Sequence, residues 1–272
     1  MPKVRSETTQ PLRSAQRMLD VLNSFSIPKS SRTLTEISDE LDLAPSTVRR
    51  LLLVLEGHDL LVLDRETGRY GISPRIARLE VIARARSLIA VASPILARLC
   101  DETNETLILD ALDGGDCVHV DVHHGHKLVS AYNPVGTRFP SWSGLASGQV
   151  LLAWASEQRL RSLVPEPSEW NADAGGRFAT YDELLAELQR VRRRGYAIND
   201  RGTDPEVWAV AAPVWSSRHA VDAAISIVVP SSRAKRGYTQ QMIAAIKQVA
   251  DEVTDAWGPM AKEAYGDPPS PR

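Results

Sequence analysis

Residues 33–55, T-L-T-E-I-S-D-E-L-D-L-A-P-S-T-V-R-R-L-L-L-V-L, constrain the fold more than any other stretch of the chain. The Thr33 hydroxyl is spaced to accept from the Glu36 N–H while the Glu36 side chain returns to the Thr33 N–H, a capping box that starts a helix. Ile37 and Leu41 then lie one turn apart on an inward face. The helix is expected to stop near Asp42, because Pro45 disfavours helical geometry at Ala44 and has no N–H to donate. Pro45 instead suits the first turn of a second helix. At about 100° per residue, Val48, Leu51, Leu52 and Leu55 share one stripe; Ser46, Arg50 and Leu53 lie opposite, with Arg49 at the edge.

Two short helices across a tight turn match a helix-turn-helix, whose second helix enters the DNA major groove by its N-terminal end. Arg49 and Arg50 suit guanine edges or phosphate, and Ser46 and Thr47 suit phosphate or either kind of base edge. An ordinary surface helix hairpin would show the same stripe. The residues after the second helix favour DNA: 60-LLVL-63, the turn 64-DRETGR-69 and 70-YGI-72 form a short hairpin. Behind a recognition helix such a hairpin is a wing, with Arg65, Thr67 and Arg69 where it would meet the duplex.

A chain of 272 residues, 43% of them hydrophobic, has enough apolar material for two domains. Its net charge of −2 is unevenly spread: residues 1–90 hold 14 Lys/Arg against 11 Asp/Glu, and the remainder 18 against 23. The positive excess therefore falls with the candidate reader. Cys100 and Cys117 are too few for a disulfide framework and read as reduced thiols. With no signal region or membrane span visible, the expectation is a soluble, cytoplasmic protein.

Residues 1–11 are polar and expected to be loose. A first helix near 12–14 would turn Ala15, Met18, Leu19 and Leu22 inward, and 27–32 reads as a loop. After Ser73-Pro74 a linker helix is expected over 74–90, with Ile76, Leu79, Ile82 and Ala83 inward and Arg84 and Arg86 solvated. A further helix through Leu96 and Leu99 leads to two antiparallel strands joined at 113-DGGD-116. A loop over 133–144 precedes a helix from about 146 to 154. Thr180 with Glu183 predicts a second capping box, and the helix it starts ends in Arg190, Arg192, Arg193 and Arg194 before Gly195, an arrangement suited to the helix dipole. Strands around 207–214 and 221–229 come next, then an amphipathic helix capped by Thr239 and a Pro-rich tail. Strands with segregated helices and no βαβ alternation predict an α+β class.

The run from 14-SAQRMLDVL-22 through the helix pair to 67-TGRYGISPRIARL-79 resembles the winged helix-turn-helix of IclR-type bacterial transcription regulators. The second half resembles that family's effector-binding domain through VGTRFP, ASGQVLLA, RRRGYA, AVAAPV and AAISIVVP. The resemblance implies an N-terminal winged helix-turn-helix over 12–73, a linker helix over 74–90 that also brings two reader domains together, and a GAF-like α/β effector-binding domain over 91–260. It departs at Asn199, where Asp is usual, at Arg201 and Gly202 in place of a Glu pair, at Glu206 for a glycine, and at Ala209 where a cysteine often sits.

A small-molecule pocket needs aromatic walls and a few convergent polar groups. Phe139, Trp142, Trp208 and Trp215 are candidate walls, Arg138 is a candidate carboxylate clamp, and Ser143, Asn199, Ala209 and Ser226 complete the set. The sharpest competing signal is H-V-D-V-H at 119–123: on a regular strand His119, Asp121 and His123 share a face and would suit zinc or ferrous iron. That reading makes the chain a metal-binding module or metal-dependent enzyme. No Gly-x-Ser-x-Gly elbow or phosphate loop supports other catalysis. The favoured expectation is a homo-oligomeric, ligand-responsive DNA-binding regulator with no cofactor; effector, operator and direction of control are not encoded legibly.

Overall fold

The computed structural model describes residues 12–26, 28–131, 133–170, 177–217 and 220–265. The expectations for residues 1–11 and for the tail after 265 lie outside these. The chain divides into two compact units between Ile82 and Ala83.

Unit 1 contains α1 (Arg13–Asn23), β1 (Ser31–Arg32), α2 (Leu34–Leu41), α3 (Pro45–Gly57), β2 (Leu61–Asp64) and β3 (Arg69–Ile72). The Thr33 capping box forms in full, with Glu36 N–H to Thr33 Oγ1 at 3.3 Å and Thr33 N–H to the Glu36 carboxylate at 2.8 Å. Asp42 closes α2 in the left-handed region at φ 50°, and Pro45 opens α3. Val48, Leu51, Leu52 and Leu55 are all buried, together with Ile37, Leu61 and Tyr70.

Two expectations fail here. On α1 the inward stripe is Met18, Val21 and Leu22, whereas Ala15 and Leu19 are exposed. Apolar spacing alone favours a face about one residue out of phase. The expected loop at 27–32 ends in β1, which pairs with β3 (Ser31 with Gly71, Arg32 with Tyr70) and makes the wing three-stranded, β1-β3-β2. Arg32 explains this: it is buried, and donates to the Ser24 carbonyl at 2.8 Å, the Glu36 carbonyl at 2.9 Å and Glu40 at 2.9 Å.

The linker is not a separate helix. α4 runs unbroken from Pro74 to Thr103, through Pro94. Past the unit boundary its stripe Leu88, Ala92, Leu96, Leu99 and Cys100 is buried. Before it, Leu79 and Ile82, expected inward, are 58% and 65% exposed, and Ala83, the first residue past it, is exposed too. Arg84 is not simply solvated; it meets Asp222 at 3.0 Å in a half-buried pair.

Unit 2 is built on a six-stranded antiparallel sheet, β6-β5-β4-β9-β8-β7. Its strands are β4 (Thr106–Asp113), β5 (Asp116–His123), β6 (Arg138–Pro140), β7 (Ala197–Asp200), β8 (Val207–Ser217) and β9 (Ala220–Pro230). β6 and β7 are short edge strands, too short to show an alternation in the sequence. Helices are α5 (Ala146–Ala153), α6 (Glu157–Leu163), α7 (Tyr181–Arg194) and α8 (Arg236–Tyr265). Period-two alternation sorts the sheet's side chains. Leu107, Leu109, Trp208, Val210, Ile225 and Ile227 join the core formed with α4 and α8, while Ile108, Ala209, Ala211, Ala224 and Val228 join the core formed with α5 and α7.

At α7, Thr180 accepts from the Glu183 N–H at 3.2 Å, but the Glu183 carboxylate takes the Ala179 N–H at 2.8 Å, so the reciprocal bond is displaced by one residue. Arg190 and Arg194 pair with buried Glu187 at 2.8 and 2.9 Å, and Arg192 donates to the Ala153 carbonyl. These arginines therefore have packing partners beyond the dipole. Thr239 lies inside α8, which begins at Arg236, and its hydroxyl donates to the Arg236 carbonyl at 3.0 Å; it is not the cap. None of the described helices is long and apolar enough to cross a membrane.

Candidate nucleic-acid interface and ligand cavity

On α3 the buried stripe forces the opposite face outward. Ser46, Arg49 and Arg50 are exposed and Thr47 is half-buried, all within the first two turns. The Arg49, Arg50 and Arg65 side chains make no ion pair or hydrogen bond with any described residue. Arg65 stands in the turn between β2 and β3.

The other two wing candidates are committed within the protein. The Thr67 hydroxyl donates to Asp64 Oδ2 at 2.7 Å, while Asp64 Oδ1 accepts the Glu66 N–H at 2.9 Å. The Thr67 hydroxyl, first among these bonds, holds the Asp64 carboxyl below its usual range. Arg69 donates to the Ser31 carbonyl at 2.8 Å and to Glu36 at 2.9 Å, tying the wing to the start of α2.

Unit 2 contains a cavity of about 300 Å³, at the low end of the ligand-pocket range. Its floor is the sheet face bearing Ile108, His119, Val207, Ala209, Ser226 and Val228. The segment leading into α5 closes one side with Phe139, Pro140, Ser143, Leu145, Ala146 and Ser147; Asn133, Asn199, Thr203 and Asp204 close the rest. Five of the eight predicted pocket residues therefore line it: Phe139, Ser143, Asn199, Ala209 and Ser226. Asn199 is already engaged, accepting from the Gly202 N–H at 2.9 Å and donating to Thr203 Oγ1 at 2.5 Å, so it shapes the β7–β8 turn.

Arg138, Trp142 and Trp208 do not line the cavity. Arg138 pairs with Asp113 at 2.9 Å and Asp116 at 3.0 Å across the β4–β5 turn. Trp142 stacks on Trp170 with centroids 5.1 Å apart. Trp208 is one residue out of phase with Ala209 and falls on the α4–α8 side. Trp215 packs edge-on against Trp154 at 4.8 Å.

The expected metal face is broken by a bulge. Asp110 pairs with His119 but Leu109 pairs with Asp121, so Val120 is the extra residue. A one-residue slip reverses every later side chain. His119 faces the cavity and bonds Asp110 through Nδ1 at 2.5 Å, whereas His123 bonds Ser93 of α4 and Asp121, each at 3.0 Å. Among the described residues no three His, Cys, Asp or Glu side chains are grouped to hold a metal. Sequence reasoning missed the cavity residues Ser147, Thr203 and Asp204, and also Asp110, the buried partner of His119. The signal of Asp110 is a carboxylate inside the apolar run T-L-I-L-D-A-L, where only a buried partner makes it tolerable. Next to it, burial above all raises the Cys117 thiol well above its ordinary range.

A family model described as the IclR helix-turn-helix domain matches residues 14–65, and one described as the bacterial transcriptional regulator IclR C-terminal domain matches residues 81–255. The chain is similar to the HTH-type transcriptional regulator BhcR of Paracoccus denitrificans, 29% identical over 93% of this chain and 90% of that protein. It is likewise similar to the transcriptional repressor IclR of Escherichia coli, 27% identical over 93% of this chain and 92% of that protein. Among solved structures, an IclR transcriptional regulator from Alicyclobacillus acidocaldarius superposes with a TM-score of 0.57 at 27% identity, covering 90% of this chain and 97% of that one.

Proposed function

The chain belongs to the IclR family of bacterial transcriptional regulators, and on that premise we propose that it reads a pseudo-palindromic operator as a homodimer or homotetramer, under the control of a small organic effector held in the unit 2 cavity. It is a DNA-binding regulator and not an enzyme. The observation that carries the reading is the outward N-terminal face of α3, where Arg49 and Arg50 stand exposed with no partner among the described residues. Guanidinium groups left free at the leading end of a recognition helix suit guanine O6/N7 and phosphate, with Ser46 and Thr47 beside them. Arg65 adds a phosphate contact from the wing. Thr67 and Arg69, bound within the protein, orient that wing.

Self-association is supported by apolar side chains that unit 1 leaves uncovered: Leu12 and Leu19 at α1, Leu79 and Ile82 on α4. Two-fold symmetry of the protein then appears as symmetry of the operator. Effector binding shifts operator affinity by a coupling free energy of about 1–3 kcal/mol.

A gel shift against DNA from upstream of the protein's own gene, with excess nonspecific competitor, tests the reading. The intact chain gives a discrete, competitor-resistant shift, and Arg50→Ala weakens it by about 1–3 kcal/mol, or roughly tenfold or more, with the circular dichroism spectrum unchanged. Equal affinity of wild type and variant would remove Arg50 from the reading face.

A further inference from the structure

Arg69 is the outermost point at which the wing is fastened to the rest of unit 1. Asp64 and Arg69 form the last rung of the β2–β3 ladder, and among the described residues the turn 65–68 bonds back to Asp64 alone. β1 holds the hairpin lower down, opposite Tyr70 and Gly71. From the rung nearest the tip, Arg69 donates through Nε to Ser31 Oγ at 3.1 Å. Through Nη2 it donates to the Ser31 carbonyl at 2.8 Å and to the two Glu36 oxygens at 3.1 and 2.9 Å. Glu36 joins this anchor to the reading helix. Its Oε2 also accepts the Thr33 N–H at 2.8 Å, so one carboxylate both starts α2 and holds the wing. α2 is fixed to α3 in turn: the Leu43 N–H returns to the Ser38 carbonyl at 3.1 Å, and Ile37 shares a core with Val48, Leu51 and Leu52. The tip that bears Arg65 is thereby set relative to the helix that bears Arg49 and Arg50.

Placement matters at this tip because the tip is not basic. Arg65 stands between Asp64 and Glu66, so a tilted wing brings carboxylates to the place where the guanidinium meets phosphate. Folding gives the Glu36–Arg69 pair little reason to exist: the two side chains are 46% and 37% exposed, and exposed pairs contribute little to stability. Charge gives it less, because a carboxylate on a DNA reader repels the phosphates it approaches. What remains is geometry. A guanidinium divided between Ser31 and Glu36 fixes the angle of the hairpin in a way that a single point charge cannot.

We infer that Glu36 is a positioning residue for DNA reading, an acidic side chain that strengthens binding by holding Arg69 so that the wing brings Arg65 to the phosphate backbone while the N-terminal face of α3 meets the groove. The inference rests on the proposal that α3 and Arg65 contact DNA. It makes the recognition helix and the wing tip one rigid reading surface, with Glu36 at the joint.

The test compares Glu36→Gln, Arg69→Lys and Arg65→Ala in the full chain, singly and combined, on a labelled duplex from upstream of the protein's own gene. Affinity is followed by fluorescence anisotropy without competitor between about 50 and 200 mM salt, since phosphate contacts do not depend on sequence. Gln at position 36 still suits a capping box, and Lys at position 69 keeps the charge while losing the fork, so the melting temperatures stay at the wild-type value. Arg65→Ala weakens binding by about three- to tenfold near 0.1 M salt and flattens the slope of log K against log salt by about 0.9, the mark of one lost phosphate. Glu36→Gln and Arg69→Lys do the same, although the first makes the protein more positive and the second leaves its charge unchanged, and neither weakens binding further once Arg65 is alanine. Unchanged or tighter binding by Glu36→Gln, the result that charge alone predicts, overturns the inference. So does a wild-type salt slope in Arg69→Lys, which would make Arg69 itself a phosphate contact, and so do effects that add to that of Arg65→Ala. The competitor gel shift judges the operator proposal separately: a chain that passes it while Glu36→Gln binds as tightly as wild type loses only this inference, and for a chain that fails it the salt slopes still decide the role of Glu36.

Discussion

Glu105, immediately before β4, has no exposed surface and is surrounded by donors from three directions. Arg233 reaches it at 2.6 and 3.0 Å, Lys127 at 2.7 Å and the Tyr238 hydroxyl at 2.7 Å. Burial alone would push its carboxyl up; the bonds from Arg233, Lys127 and Tyr238 outweigh that and hold it below the usual range. A depressed carboxyl stabilises the fold fully above its unfolded value, near pH 4.3, and that contribution is lost as pH falls through the lower folded value. Glu105→Gln is therefore expected to cost about 3 kcal/mol near neutral pH, because it strands two cations on a neutral amide. In urea unfolding the gap between wild type and variant should close as the pH drops below about 4; a gap that widens in acid would mean the carboxyl is not ionised in the folded chain.

Elements are legible in proportion to how local their causes are. α3 follows from Pro45 and one apolar stripe, and its exposed face is known once the stripe is. α5 has a legible position but no legible orientation: all eight of its residues are buried, so no polar face marks which side meets the sheet. Gly148 within it shows how closely it is packed. A Cβ there would lie 2.3 Å from the backbone carbonyl oxygen of Ser141, which cannot retract without moving the Ser143 segment. Alanine gains about 1 kcal/mol in helix propensity, but overpacking against backbone costs about 1–3 kcal/mol and should win. Gly148→Ala is expected to lower the melting temperature; a rise in melting temperature would show that the loop yields freely.

At the scale of the molecule, the apolar positions on α4 matter more than the charge totals. Leu79 and Ile82 keep the inward periodicity expected of them, yet among the described residues of unit 1 they stand exposed. The double variant Leu79→Ser, Ile82→Ser should sediment as a smaller species than wild type and bind the operator more weakly, since each copy then holds one half-site. An unchanged sedimentation coefficient would place the interface elsewhere. Salt provides the complementary check on the reader. With about six phosphates neutralised, operator affinity should fall by roughly three orders of magnitude between about 50 and 200 mM salt; a flat response would mean that Arg49, Arg50 and Arg65 do not meet the duplex.

By itself the sequence determined those features whose bonds close within three or four residues: the Thr33 box, the stop at Asp42, the stripe of α3 and the Asp64 turn. The family resemblance added the order of the domains, and within the cavity it located the loop and the strand ends that carry Phe139, Ser143, Asn199, Ala209 and Ser226. Tertiary structure alone decided which free-looking cations were free. Arg69 finds Glu36 thirty-three positions away, and Arg138 finds Asp113 twenty-five away; no local pattern distinguishes them from Arg50. It also decided parity. One extra residue at Val120 carries Asp121 and His123 to the far side of the sheet and leaves His119 lining the cavity, paired with Asp110. A strand's period is two, so a single inserted residue exchanges its faces, and only the pairing with β4 shows where that insertion falls.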